Sequence, residues 1–304
     1  ERGASMKRLI AVMILFIVSL TACTAFAEAE TAAEWDFDLS LSVVTSDYAV
    51  LVNRDHLLES TDVPSNLVNV NVKKRSSAVV QLDAVVAAAL ETLFADAALV
   101  TEYVYRVKDD DGNWEYTTFS DSDGLQLLLV SGYRSYNSQY TIYNNYLARN
   151  NGVDDGISSP PGASEHQTGY AADVISVDYN ANNTYMNSSF YQTPEAQWME
   201  EFAASYGFII RYPEEDEEIT QVPYEPWHLR YVGRDIAGYI KRTGETLEEF
   251  TENWQAALAK FLEDGGDIQA QLLLESTAGP TAVESTVLDV YDEDGDPEIS
   301  LSLW

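Results

Sequence analysis

Two short stretches of this 304-residue chain carry the residue types from which a hydrolytic metal site is built. Ser164-Glu165-His166-Gln167-Thr168-Gly169-Tyr170-Ala171-Ala172-Asp173 supplies an imidazole and, seven positions on, a carboxylate. Glu225-Pro226-Trp227-His228-Leu229-Arg230-Tyr231-Val232-Gly233 supplies a second imidazole and a further glutamate. Two of the chain's three histidines thus fall inside dense polar motifs. Two neutral imidazoles and one carboxylate are a three-ligand set for zinc that leaves a fourth position open. A zinc held this way keeps net positive charge, and a water taken up beside it becomes acidic near neutral pH. His166, Asp173 and His228 are the expected ligands. Glu225 is left over as the base that takes the water's proton and returns it to a leaving amine.

These residues must be carried by elements that bring them together. Gly169 and the small Ala171 and Ala172 permit close backbone approach, so His166 and Asp173 can face one metal from adjacent strands or from a strand and its turn. Pro226 keeps Glu225 out of helical conformation, which separates this motif from a helical H-E-x-x-H site. Glu225 and His228 are expected on an extended or looped segment, with Trp227 walling the pocket. Arg230 could support the metal ligands from behind or contact the substrate, the alternative being a surface ion pair.

Upstream, the apolar run Leu125 to Val130 reads as a buried strand that delivers Ser131-Gly132-Tyr133-Arg134-Ser135, and a helix is expected to follow as far as Arg149. Helical spacing of Val86, Leu90, Phe94 and Ala97 predicts a helix from Asp83 to about Ala98. A hairpin is predicted from Tyr103–Val107 and Trp114–Phe119. Aspartates 109–111 in its turn lack the ligand order of a calcium loop and read as a plain turn. Thr193 and Pro194 open a helix bearing Trp198, Phe202 and Tyr206, which Gly207 stops before the strand Phe208-Ile209-Ile210. Thr246 and Glu249 form a capping box for a helix carrying Leu247, Phe250, Trp254, Leu258 and Phe261.

Composition bounds the partners. The formal net charge is −33, which argues against nucleic acid or an anionic membrane surface, while 46% hydrophobic residues suffice for a packed core. At the amino terminus Met6, Lys7 and Arg8 precede the apolar run Leu9 to Leu20, the anatomy of an export signal. Two exits compete: Leu20-Thr21-Ala22-Cys23, a lipobox that would lipidate Cys23 and tether the protein to the outer face of the membrane, and the A-x-A site Ala25-Phe26-Ala27. Cys23 is the single cysteine, so no internal disulfide forms. The organisation expected is an export signal over 1–27, a polar tether over 28–47, the metal-binding domain over 48–250, and a helix with an acidic appendage over 251–304.

At these motifs the chain resembles the VanY-type D-alanyl-D-alanine carboxypeptidases, zinc peptidases of bacterial cell walls. The resemblance runs from about Tyr48 to Glu249. It rests on Leu51-Val52-Asn53-Arg54, Ser131–Ser135 with Gln139, the His166–Asp173 motif, Arg211-Tyr212-Pro213 and the Glu225–Gly233 motif, in this order. It implies an α+β fold in which a small antiparallel sheet, flanked by helices, cradles one zinc ion held by His166, Asp173 and His228, with Glu225 as base. It also implies that Arg134 meets the substrate's carboxylate or the developing oxyanion, and that Ser164 and Gln139 hydrogen-bond the substrate. The substrate implied is a peptidoglycan stem peptide ending in D-Ala-D-Ala, outside the cytoplasm. Alternatives are an L,D-carboxypeptidase, an endopeptidase of the same fold, or a non-catalytic wall-binding lipoprotein.

Charge distribution supports Arg134 independently. In a chain this poor in base, Arg134, Arg211 and Arg230 all fall in or beside the motifs, and a fixed guanidinium recognises a terminal carboxylate through two parallel hydrogen bonds. Arg211 is expected to pair with Glu214 or Glu215, and His56 to be structural. Departures from the family pattern are the acidic run Glu214–Glu218, Gln221 and Val222 in place of a glycine-containing turn, and the hairpin near Asp109, read as an insertion.

Overall fold

A computed structural model describes residues 33–109, 111–277, 288–291 and 297–301. The expected export segment with Cys23 lies outside the described residues. Among the described residues no helix is long and apolar enough to cross a membrane.

A short helix, α1 (Leu41–Val44), leads to the antiparallel pair β1 (Leu67–Asn69) and β2 (Gln81–Asp83). Asp83 ends β2 and caps α2 (Ala84–Ala97), its carboxylate accepting from the backbone N–H of Val85 and Val86 at 2.9 and 3.4 Å. Val86, Leu90, Leu93 and Ala97 form the buried stripe of α2, so Leu93 takes the place expected for the half-buried Phe94. The hairpin β3 (Glu102–Lys108) and β4 (Trp114–Ser120) then pairs from Glu102↔Ser120 to Lys108↔Trp114. The Asp109 carboxylate closes its turn by accepting from the N–H of Asp111 and Asn113.

The remaining elements are β5 (Leu127–Ser131), α3 (Tyr136–Arg149), β6 (Ala171–Ser176), α4 (Val177–Asn182), α5 (Pro194–Phe202), β7 (Phe208–Ile210), α6 (Glu217–Thr220), β8 (His228–Tyr231), α7 (Arg234–Thr243), α8 (Leu247–Glu263), α9 (Ile268–Thr277) and a last antiparallel pair, β9 (Leu288–Tyr291) with β10 (Pro297–Leu301). Thr193 caps α5 with Pro194 at its first position. Thr246 and Glu249 make the reciprocal capping box of α8. Strands β5, β6, β8 and β7 form one antiparallel sheet in that order, and helices pack around it, giving an α+β fold.

β6 is buried along its whole length, and the main core joins it to Leu90 and Leu93 of α2 and to Trp198 and Met199 of α5. A second core lies beyond β7 and brings Leu41 and Val44 together with Ile236, Ile240, Leu247 and Phe250. This corrects the tether expected over residues 28–47. Leu41 and Val44 are fully buried, Trp35, Phe37 and Leu39 pack against the same core, and the Glu275 carboxylate on α9 accepts from the N–H of Leu41 and Ser42, both at 2.8 Å. From Trp35 onward the segment is therefore part of the packed body. The boundary expected at residue 250 also falls inside a continuous helix, since α8 runs on to Glu263 and its Phe261 is buried.

Candidate metal centre and active-site cleft

The sheet register places the reactive side chains. Asp173 on β6 stands opposite Ser131 of β5 on one side and His228 of β8 on the other. Directly paired residues share a sheet face, so Asp173 and His228 meet. His166 comes from the 3-10 turn Glu165–Thr168 that precedes β6. Gly169 ends that turn at φ 77°, and a Cβ there would lie 3.0 Å from Leu67 and 3.3 Å from the Asp83 nitrogen, so only glycine lets the turn press against β1 and β2. Gly132 is equally constrained, because a Cβ would come within 2.6 Å of the Gln81 carbonyl oxygen. Its own carbonyl accepts from His166 Nδ1 at 2.8 Å. A carbonyl can only accept, so the His166 proton sits on Nδ1 and leaves Nε2 free.

The donors converge. His166 Nε2 lies 3.3 Å from Asp173 Oδ2, His228 Nδ1 lies 3.3 Å from Asp173 Oδ1, and one donor atom from each of the three residues falls within 4.8 Å of the others. Bonds of about 2.0–2.1 Å to a tetrahedral zinc put neighbouring ligand atoms about 3.3 Å apart, the spacing seen for both pairs. Asp173 Oδ1 is buried with no hydrogen-bond partner, a costly arrangement for an anion that a cation would relieve. Two nitrogens and one carboxylate oxygen suit zinc, and His166, Asp173 and His228 are fitted to hold one such ion.

Burial and neighbours set the charges. Burial works against the Asp173 carboxylate, but the imidazoles of His166 and His228 outweigh it and hold the group well below the usual carboxylate range. Burial also pushes His166 down. On His228 burial is overcome by the adjoining carboxylates of Asp173 and Glu165, which raise it to about 9. Glu225, whose Oε2 lies 3.5 Å from His228 Nδ1, is pushed up to about 7, chiefly by burial and against the pull of His228. A carboxyl poised near neutrality can both take and return a proton.

These groups open into a cavity of about 350 Å³. Among its lining residues are Arg134, Gln139, Ser164 and Trp227, all anticipated from the sequence, together with Arg75 and Tyr212. Arg134 is tied to the metal turn by its backbone N–H, which donates to the His166 carbonyl at 3.1 Å, and its Nε is buried without a partner. Gln139 donates to the Ser159 carbonyl at 2.6 Å and leaves Oε1 unpartnered. Sequence reasoning gave Arg75 and Tyr212 no role. The basic run Lys73-Lys74-Arg75 in an acidic chain was a signal for the first, and Tyr212, whose ring lies 4.9 Å from that of His228, had none beyond its motif.

Of the readings open for Arg230, the supporting one fits its placement. It is fully buried, does not line the cavity, and donates to Glu165 Oε1 at 2.7 Å and to the carbonyls of Tyr48 and Val50, so it is neither a substrate contact nor a surface pair but lies behind His228, joined to the carboxylate that faces that ring. The register explains this: Arg230 lies two residues beyond His228 on β8, paired with Ala171, and is enclosed by the segment at Tyr48–Val50. Arg211 likewise pairs with Glu165 and Glu248, not with Glu214 or Glu215. His56 is exposed and its Nδ1 faces Asn53 Oδ1 at 3.0 Å, apart from the cluster.

Comparison with known proteins accords with this geometry. The family model for VanY, D-alanyl-D-alanine carboxypeptidase, matches residues 116–234, the segment holding every cleft residue except Arg75. The bifunctional D-Ala-D-Ala dipeptidase and D-Ala-D-Ala carboxypeptidase VanXYC of Enterococcus gallinarum is 32% identical over 160 residues, which span 52% of this chain and 83% of that protein. The chain belongs to the VanY family. Another relative, YodJ of Bacillus subtilis (strain 168), is 44% identical over 131 residues, 43% of this VanY-family chain and 47% of YodJ, so the match spans about half of that relative's length. The match to the D-alanyl-D-alanine carboxypeptidase of Enterococcus faecium, at 37% identity, spans 36% of that protein. Among solved structures, the LdcB LD-carboxypeptidase superposes with a TM-score of 0.55 at 35% identity, covering 66% of this chain and 84% of that one.

Proposed function

We propose that this chain is an extracytoplasmic zinc carboxypeptidase that releases the C-terminal D-alanine from peptidoglycan stem peptides ending in D-Ala-D-Ala. The observation that carries the reading is the convergence of three metal donors, a carboxyl poised near pH 7 and a buried, incompletely paired guanidinium on one cleft. His166, Asp173 and His228 would hold the zinc, which when bound supplies a Lewis acid that polarises the scissile carbonyl and acidifies water. Arg134 would take the terminal carboxylate and so align the last peptide bond over the cluster. Glu225 would remove a proton from the attacking water and deliver it to the leaving D-alanine nitrogen as the C–N bond breaks. Gln139 Oε1 and Ser164 would hydrogen-bond the peptide, and Trp227 would wall the cleft.

Similarity to the LdcB LD-carboxypeptidase favours a second reading, removal of the terminal D-alanine from a tetrapeptide. The choice lies in the residue before the scissile bond, D in one substrate and L in the other. Export, with or without lipidation at Cys23, would place the enzyme on the wall side of the membrane.

Mass spectrometry of synthetic stem pentapeptide and tetrapeptide, each incubated with zinc-loaded protein, separates the readings. Loss of one alanine from the pentapeptide, with the tetrapeptide left whole, is expected. Preferential trimming of the tetrapeptide would establish L,D-specificity, and failure to cleave either would leave a binding role.

A further inference from the structure

Glu165 belongs to the first motif yet takes no part in the chemistry described so far. It is fully buried and does not line the cleft. Its two carboxylate oxygens face different partners. Oε1 accepts from Arg211 Nε and from Arg230 Nη1, both at 2.7 Å. Oε2 has no hydrogen-bond partner and lies 3.4 Å from His228 Nε2, which is also buried and without one.

The two guanidiniums are themselves pinned. Arg211 donates Nη1 and Nη2 to the two carboxylate oxygens of Glu248 at 2.8 and 2.6 Å, and Glu248 sits in the first turn of α8. Arg230 donates Nη2 to the carbonyls of Tyr48 and Val50 at 3.0 and 2.6 Å. Glu165 is thus clamped from two directions, and the clamp leaves one oxygen aimed at His228.

We propose that Glu165 is a positioning residue for His228, and that Glu248 fixes Glu165 through Arg211. An ionised carboxylate only accepts, so the proton between Glu165 and His228 belongs to Nε2. In a neutral imidazole that leaves Nδ1 as the lone pair, and Nδ1 is the nitrogen that faces Asp173 and Glu225. The carboxylate therefore selects both the tautomer and the ring orientation of the ligand from behind, as outer carboxylates do at other zinc sites. His166 obtains the complementary tautomer from a backbone carbonyl, so the two histidines offer different nitrogens for different local reasons. Glu248 and the Tyr48–Val50 segment lie outside residues 116–234, so the orientation of His228 depends on parts of the chain beyond the family match. The inference rests on the reading of His228 as a metal ligand.

Zinc alone is titrated into wild-type protein and the Glu165→Gln and Glu248→Gln variants, all labelled with 15N-histidine. Long-range 1H–15N spectra report each ring tautomer, and chelator competition reports affinity. With three histidines in the chain, assignment is tractable. In zinc-loaded wild type, His228 is expected to carry its single proton on Nε2, with the Nδ1 signal shifting as zinc binds. In Glu165→Gln the Nε2 proton is expected to exchange faster and zinc to bind about 10–100-fold more weakly, with Glu248→Gln intermediate.

A zinc-loaded wild type with His228 protonated on Nδ1 overturns the proposal. So does a folded Glu165→Gln protein that binds zinc within about threefold of wild type, well short of the usual effect. Where Glu165→Gln does not fold, the wild-type tautomer decides alone. His228 nitrogens that ignore zinc altogether would overturn the metal-site reading along with this one, which distinguishes that failure from a zinc-responsive ring bound through Nε2.

Discussion

His228 stands between two polar assemblies that are both buried and otherwise unlike. On the cleft side, Asp173 Oδ1, Arg134 Nε and Gln139 Oε1 have no hydrogen-bond partner. On the far side, Arg211 and Arg230 each donate to a carboxylate, and Glu248 receives both Nη nitrogens of Arg211. Only Glu165 Oε2 is unmatched there, and it faces His228. Unmet polar atoms are expensive in a protein interior, so a cluster of them marks where a ligand completes the structure, whereas a saturated network is scaffold. The two assemblies use the same residue types, and pairing alone separates the reactive side from the supporting side.

This contrast can be broken at either side. The largest effect is expected at Glu225. Glu225→Gln should retain zinc while turnover on the pentapeptide falls about 10³-fold, in the range for a lost general base. Steady-state kinetics beside metal analysis would check it, and turnover near wild type would remove Glu225 from the mechanism. On the far side, Arg211→Met strands Glu165 and Glu248 without a direct role in chemistry. It should cost about 3–5 kcal/mol of stability, as breaking a buried ion network does, read by chemical denaturation. A loss below about 1 kcal/mol would mean that the network is not scaffold.

Arg134→Ala should lower kcat/KM about 30–100-fold, equivalent to about 2–3 kcal/mol for a charge-assisted pair, with little change in stability. A large loss of stability with unaltered kinetics would place Arg134 among the supporting arginines. The smallest effect is on metal uptake with pH. In the metal-free protein His228 is raised to about 9, so below that pH zinc must displace its proton. Affinity should therefore rise about tenfold per pH unit as pH approaches 9 and flatten above it, with proton release measurable by calorimetry in two buffers. A flat profile from pH 6 to 9 would show that His228 binds zinc without losing a proton.

What the sequence revealed follows the same division. The cleft side was legible because its chemistry is packed into two short motifs, where spacing, small residues and Pro226 suffice to predict convergence. The capped helices were legible because Thr193, Pro194, Thr246 and Glu249 act within a few residues of one another. The far side was not, because Arg211 and Arg230 reach Glu165 across 46 and 65 residues, and nothing local distinguishes Arg230 from Arg134. The packing of Leu41 and Val44 was hidden for a similar reason: their partners lie on α7 and α8, and the surrounding polar residues read as tether.

Catalysis is expected to depend on one zinc at His166, Asp173 and His228. The most direct test of this dependence is release of D-alanine from a stem pentapeptide by metal-stripped protein, followed through stepwise return of zinc. No release is expected without metal, with full recovery at one equivalent. Undiminished release by the stripped protein, or no recovery on adding zinc, would contradict it.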